Sequence, residues 1–560
     1  MKNTHTMRRS LRSSNAGRTP GATSIQARHA IAAVMLFASP VLCAQSLDGL
    51  FRQAAAKAKQ AIERSGEDRG NRPAAAAPQD ARRGNAAGTA NAPMADDSTA
   101  ARDAAIARLR APPARTVCAD RSTMGRVYGT TCNSREFPAP PILSAPAFAW
   151  QAKPGWWGAW SPFLVGKLML TGSCNNDDNA GLSALDVGSG KTVWRIGSIC
   201  GVGNRRGSTG NVAFFELPSG EVLLVYPREN GEPTDYYVVD TRAGRIVRSL
   251  KPAANVALRG LGGGFTGVNQ SKQDGVSNLI GFSPSLDQVL WRNRGFRLAM
   301  RDDDAHYKPT FSPVALTDNI LLLSARSTDQ PDPPTRQLQA IDAQTGRTLW
   351  RNTDQPVAER GDGSGGDWRS DDGTPMVAGG KAIIRVQGLL GPAALGRRPD
   401  GDALRAFDPR SGAVAWTTKP VRGTAIENRV AVGDMLVAEV LRGDARELWG
   451  YRLADGALAW RRPVSAAARL LASSGGAFYV SERIPSGRGE SDMDIRLQGM
   501  DGETGTLLWT TTLPGHNLDF DGGWGIEPDP RRGGSQGPAW RIGRDGAIYG
   551  VTLTGAFKLQ

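Results

Sequence analysis

A single eleven-residue pattern does most to limit what this chain can fold into. Ala184-Leu185-Asp186, followed by Gly190 and Trp194, has the form A-x-D-x-x-x-G-x-x-x-W. The pattern returns from Ala340 through Asp342 and Gly346 to Trp350, and from Ala406 through Asp408 and Gly412 to Trp416. A looser copy runs from Gly499 through Asp501 and Gly505 to Trp509. Degenerate copies end at Arg248, at Trp291, where Asp287 replaces the glycine, and at Trp460, where Arg452 replaces the aspartate. Successive ends at 194, 248, 291, 350, 416, 460 and 509 lie 43 to 66 residues apart, and the intervals hold short alternating apolar runs punctuated by turn residues.

A repeat of roughly 40–50 residues filled with short strands predicts a β-propeller, in which each repeat is one four-stranded sheet. The pattern then has a physical reading. Alanine or glycine ends a third strand where a larger side chain would clash, and aspartate and glycine form a tight turn in which glycine takes positive φ. Tryptophan on the fourth strand packs between neighbouring sheets, where burying an indole is worth about 2–3 kcal/mol by area. After Trp509 the chain supplies Ala547 to Val551 and Ala556 to Leu559 and then stops before another fourth strand. The missing strand is available at the front as Ala147-Phe148-Ala149-Trp150-Gln151. The expectation is an all-β, eight-bladed propeller over residues 145–560, with an N-terminal strand closing the ring and removing exposed sheet edges.

The motif resembles the tryptophan-docking repeat of the pyrroloquinoline-quinone (PQQ) propellers, over about residues 145–560. That resemblance implies the fold more than the function, because the family holds both quinoprotein dehydrogenases and cofactor-free scaffolds. In architecture the chain is most similar to the scaffold lipoprotein of the outer-membrane β-barrel assembly machinery. Alcohol-oxidising relatives carry adjacent disulfide-bonded cysteines, a calcium-binding acid set and an aspartate base. Adjacent cysteines occur nowhere in this chain, and His306 and His516 are the two histidines beyond the first 44 residues, too few for a multi-histidine metal centre.

The formal charge of +14 invites a nucleic-acid reading, so its location matters. Residues 1–44 carry +6, residues 45–116 carry +4, and residues 117–560 carry +4. The first segment, basic and then apolar from Ala30 to Leu42, reads as an export signal too short for a comfortable membrane span. Residues 45–116 read as a disordered, Ala-rich linker with two short helices, one capped by Ser46 and one by Ser98 through Ala101, Ala105 and Leu109. Those helices are expected either to be transient or to dock into a partner's groove. Residues 117–144 are a lead-in bearing Cys118 and Cys132. With Cys174 and Cys200 they make four cysteines beyond the signal, an even number that favours disulfides in an exported chain. The neighbour pairing is the simplest of three connectivities. No basic run interleaved with stacking aromatics lies in the repeat region, which argues against nucleic acid.

No compact catalytic signature is present, so no catalytic residue and no metal ligand is assigned. The connections leading from each tryptophan to the next sheet combine acids with aromatics. Trp156 and Trp157, Asp303 with His306, Asp367-Trp368-Arg369, and Asp521 with Trp524 form the candidate binding face. That composition suits a peptide, a glycan or a cation. The expectation is a monomeric, periplasmic, non-enzymatic scaffold with an envelope or outer-membrane protein as partner, without cofactor, nucleic acid or membrane span after signal cleavage. The alternatives are a divergent PQQ- and calcium-dependent dehydrogenase and a surface glycan- or peptide-binding module.

Overall fold

Each pattern copy ends a four-stranded antiparallel meander in the computed structural model. It describes residues 92–111, 122–123 and 134–560, apart from segments 153–159, 161, 174–179, 201–211, 218, 227–234, 252–256, 262–263, 271–276, 284, 298–313, 318, 328–335, 353–374, 388–400, 487–492, 515–539 and 552–554. The described strands form seven hydrogen-bonded sheets. Four-stranded sheets cover 163–196, 376–417 and 424–464, and five-stranded ones cover 213–250 and 468–513, each with a strand added from the lead-in. The meanders 257–297 and 314–351 join into one eight-stranded sheet through the pairs Phe296↔Ser327 and Arg297↔Arg326.

The last sheet is built from both ends of the repeat region. Phe148–Ala152 pairs antiparallel with Ala556–Leu559, with Trp150 opposite Lys558 and Ala152 opposite Ala556. Ala147 and Gln560 extend the ladder by exchanging backbone bonds of 3.0 and 2.9 Å. The sequence expectation that residues 147–151 supply the strand missing after Leu559 matches this pairing.

Within a meander, residues of the first three strands are largely buried, whereas the fourth strand lies at the solvent-facing edge. The motif explains how neighbouring sheets are fastened. Trp150, Trp194, Trp291, Trp350, Trp416 and Trp460 each donate the indole N–H to the backbone carbonyl three residues before the glycine of a later turn, at 2.8–3.1 Å. Those glycines, 190, 244, 346, 412, 456 and 505, have φ of +63° to +74°, and a Cβ on any of them would fall 2.4–2.7 Å from the ring. The pattern glycine is therefore required twice, by its left-handed backbone and by the indole lying on it. The small third-strand residue is also explained: Ala184, Ala340 and Ala406 sit directly across from Trp194, Trp350 and Trp416.

Two of the three degenerate copies, those ending at Arg248 and Trp291, share one interface. Arg248 stands where other repeats have tryptophan, and the turn after it in sequence, 283–288, has no glycine. Leu286 takes positive φ there (63°) and is fully buried among Phe215, Leu223, Tyr236 and Phe282. With no indole to lie over the turn, a side chain fills the space instead.

The pattern aspartates organise the turns. Asp342 Oδ1 accepts from the Gln344 and Thr345 amides and the Thr345 hydroxyl, and Asp408 Oδ1 accepts from Arg410, Ser411 and the Ser411 hydroxyl. Backbone donation from Thr345 and from Ser411 holds both carboxyls below the usual range; the Ser189 hydroxyl and the Ala243 amide do so for Asp186 and Asp240. A depressed folded pKa gives stability that is present above the unfolded value of about 3.9 and is lost as pH falls through the folded value. Urea midpoints are thus expected to hold from pH 7 to about 5 and to fall below about 4, and Asp408→Asn should make that acid decline shallower.

Candidate functional site

The described polar chemistry outside the repeats converges where the N-terminal segments meet the 424–513 sheets. Ser98 caps the helix Thr99–Leu109, its hydroxyl accepting from the Ala101 amide at 3.2 Å, as the sequence expectation had it. Ala105 and Leu109 are buried on the chain's own sheet, in one cluster with Leu471, Ala477, Tyr479 and Leu508. Arg108 reaches Asp501 at 2.7 Å and Glu503 at 2.9 Å. Among the described residues, Pro93 and Ala95 already bond to the repeat region, ahead of the boundary at 117 expected from composition, and the helix Thr99–Leu109 packs on the chain's own sheets.

Ahead of the helix, residues 93–95 lie beside the fourth strand Leu458–Val464. Ala95 N donates to Arg461 O at 3.0 Å and Arg461 N to Pro93 O at 3.1 Å, and Met94 forms a parallel bridge with Arg461. Arg462 then grips both oxygens of Asp97 at 2.6 and 2.8 Å, while Asp97 Oδ1 also accepts from the Leu507 amide at 2.9 Å. The Arg462 hydrogen bond holds the Asp97 carboxyl below its ordinary value. Asp97→Asn is expected to speed amide exchange at Leu507 by about fivefold at low salt, with the difference shrinking as salt is added.

The lead-in is set more deeply. Ser122–Thr123 pairs with the first strand of the 213–250 sheet, and Glu136–Phe137 pairs in parallel with Ser473 and Ser474 on the first strand of the 468–513 sheet. Ser134 O accepts from the Ala431 amide and Arg135 O from the Ser473 amide, at 2.9 and 3.0 Å, so the peptide bridges two adjacent first strands. Arg135 and Glu136 are both almost fully buried, and Glu136 Oε1 accepts from the Gly433 amide at 2.9 Å.

Further on, Pro140, Pro141 and Ile142 occupy the one tryptophan contact that departs from the pattern. Trp509 donates not to a turn carbonyl but to Ile142 O at 2.7 Å, and Gly546 in the last sheet faces Pro140. Ile142 N donates to Tyr479 Oη at 2.9 Å, and burial pushes the Tyr479 hydroxyl up to about 12. Sequence reasoning missed these roles. The Pro-Pro step was the available signal, since two prolines favour an extended peptide without donors of its own.

The candidate binding face of Trp156, Trp157, Asp303, His306, Asp367, Trp368, Arg369, Asp521 and Trp524 lies outside the described residues, as do Cys118, Cys132 and Cys174. Cys200 ends the 3-10 turn Gly197–Cys200. A quinone with its calcium needs converging carboxylates, and among the described residues no group of three or more His, Cys, Asp or Glu side chains is placed to hold a metal ion. Among the described residues, too, no helix is long and apolar enough to cross a membrane.

Repeating four-stranded sheets locked by tryptophan on glycine make the chain a PQQ-like repeat β-propeller protein. Within that class it is BamB-like: the family model described as outer membrane protein assembly factor BamB matches residues 276–473 and 399–521. No curated protein matches the sequence. Among solved structures, BamB from Moraxella catarrhalis is 15% identical, with 68% of this chain and 95% of that one covered and a TM-score of 0.34. The quinohemoprotein alcohol dehydrogenase from Comamonas testosteroni is 13% identical over 69% of this chain and 80% of that one, TM-score 0.30. A europium-containing methanol dehydrogenase is 12% identical over 82% and 99%, TM-score 0.33.

Proposed function

We propose that this chain is an exported, non-enzymatic scaffold that binds protein partners during assembly of envelope or outer-membrane proteins. Its eight meanders are read as eight blades of a ring fastened by Phe148–Ala152, its first 44 residues as the export signal, and its loop residues from Trp156 to Trp524 as the partner-binding face. What supports the reading is the match to the assembly-factor family model across residues 276–521. The observation that carries it is how the repeat uses its polar groups. Asp186, Asp240, Asp342 and Asp408 are each occupied by their own turn, so the described framework spends its carboxylates on loop shape rather than on a shared reaction centre.

Crosslinking mass spectrometry on native envelopes tests this directly. The expected result is crosslinks from the loop face to outer-membrane assembly proteins. The rival dehydrogenase reading is tested by adding PQQ and calcium to purified protein: a bound-quinone spectrum with dye reduction by alcohols or sugars would overturn the scaffold reading.

A further inference from the structure

The fourth strands form a set with an unusual charge. From Phe148–Ala152 and Thr192–Ile196 round to Leu507–Leu513, the eight together contain nine arginines and no aspartate, glutamate or lysine. They also carry exposed apolar side chains, Val193, Val247, Leu290 and Val414. A sheet edge presents a row of backbone donors and acceptors that templates pairing with another chain, and proteins usually guard it.

One of these edges shows what such a strand receives. Against Leu458–Val464 the chain lays its own Pro93-Met94-Ala95-Asp96-Asp97, bonded backbone to backbone at Arg461 and carboxylate to guanidinium at Arg462. The occupant is extended and acidic, the acceptor an arginine-bearing edge.

The same ingredients recur at Arg245–Leu250. It is the last strand of its sheet, and the lead-in takes the opposite edge, so among the described residues this one has no strand beyond it. Arg245, Val247, Arg248 and Ser249 are exposed, and Arg248 is at the surface because the repeat places no tryptophan there. Its side chain is 57% exposed and touches Glu221 at 3.5 Å. We propose that this edge binds an extended acidic segment of a partner protein by strand addition, with carboxylates held by Arg245 and Arg248. The proposal uses none of the loop-face residues named above, so either can fail without the other.

The test uses the full chain and a synthetic peptide of the sequence Ala-Pro-Met-Ala-Asp-Asp-Ser, read by hydrogen exchange. The expected result is slowed exchange across residues 245–250, with affinity falling about tenfold in the Arg245→Gln/Arg248→Gln variant. A backbone N-methylated peptide of the same charge should lose that protection. Equal binding of the methylated peptide would overturn strand addition, and protection confined to 458–464 would overturn the assignment to this edge. Protection of 245–250 by phosphatidylglycerol vesicles and not by peptide would replace the protein partner with a membrane surface.

Discussion

Trp460→Ala should destabilise the protein by about 3–5 kcal/mol, the range for deleting a fully buried large aromatic side chain. Trp460 is 2% exposed, stacks on Phe478 with centroids 5.9 Å apart, and donates to Gly502 O at 3.1 Å. The small residue across from it, Gly450, and the turn glycine, Gly505, leave no Cβ that could move in to fill the hole. Trp460→Phe keeps most of the ring and loses the N–H donor, so it should cost less, about 1–2 kcal/mol, chiefly for the unpaired carbonyl. Trp194→Ala is the informative comparison. It makes the same bond to Thr241 O at 2.8 Å and lies on Gly244, but it is half-buried, and its loss should be about half as large. Urea unfolding of the three variants measures the order. Equal costs at 460 and 194 would mean that the hydrogen bond, not the buried area, holds neighbouring sheets together.

That chain of docked indoles was legible in the sequence because each link is local in pattern. Ala184, Asp186, Gly190 and Trp194 fall within one hairpin, and their roles follow from strand alternation and turn geometry. What a hairpin does not encode is where a segment far away in sequence comes to rest. Glu136 pairs with Ser473 across 337 residues, and the lead-in around it shows no period that marks it as a strand. Composition says less about where residues 92–111 come to rest. Ala-rich and polar, they fall short of an independent core, yet Ala105 and Leu109 need only a preformed apolar surface, which the 468–513 sheet supplies. In sequence, Arg248 ends a degenerate copy of the pattern. In the structure its loss of tryptophan matches the loss of glycine at the facing turn and leaves an arginine on an open edge. The acidic-aromatic face rests on sequence alone, because each of its residues falls outside the described segments.

Gly475→Ala should expel the lead-in from its seat, and two neighbouring glycines separate that effect from ordinary backbone strain. Gly433, Gly475 and Gly476 have φ of +56°, +52° and +88°, so alanine at each costs about 1–2 kcal/mol for the left-handed conformation. They differ in what the new methyl meets. At Gly433 the nearest atom is 4.0 Å away; at Gly476 it is the tip of Leu109 at 2.9 Å, which can rotate aside. At Gly475 it is Pro141 Cδ at 2.3 Å and the Pro141 backbone nitrogen at 2.6 Å, and a proline ring fixed between Pro140 and Ile142 has no rotamer to yield. The cost should therefore rise from Gly433→Ala to Gly476→Ala to Gly475→Ala, the last adding about 1–3 kcal/mol of overpacking. Displacing Pro141 also draws Ile142 away from Tyr479 and Trp509, leaving a buried hydroxyl and a buried indole N–H without those partners. Limited proteolysis should accordingly cut near residues 134–143 in Gly475→Ala and leave that segment intact in Gly433→Ala. If all three variants lose the same stability and resist cleavage alike, then the backbone conformation is what these glycines supply, and the lead-in is not seated by Gly475.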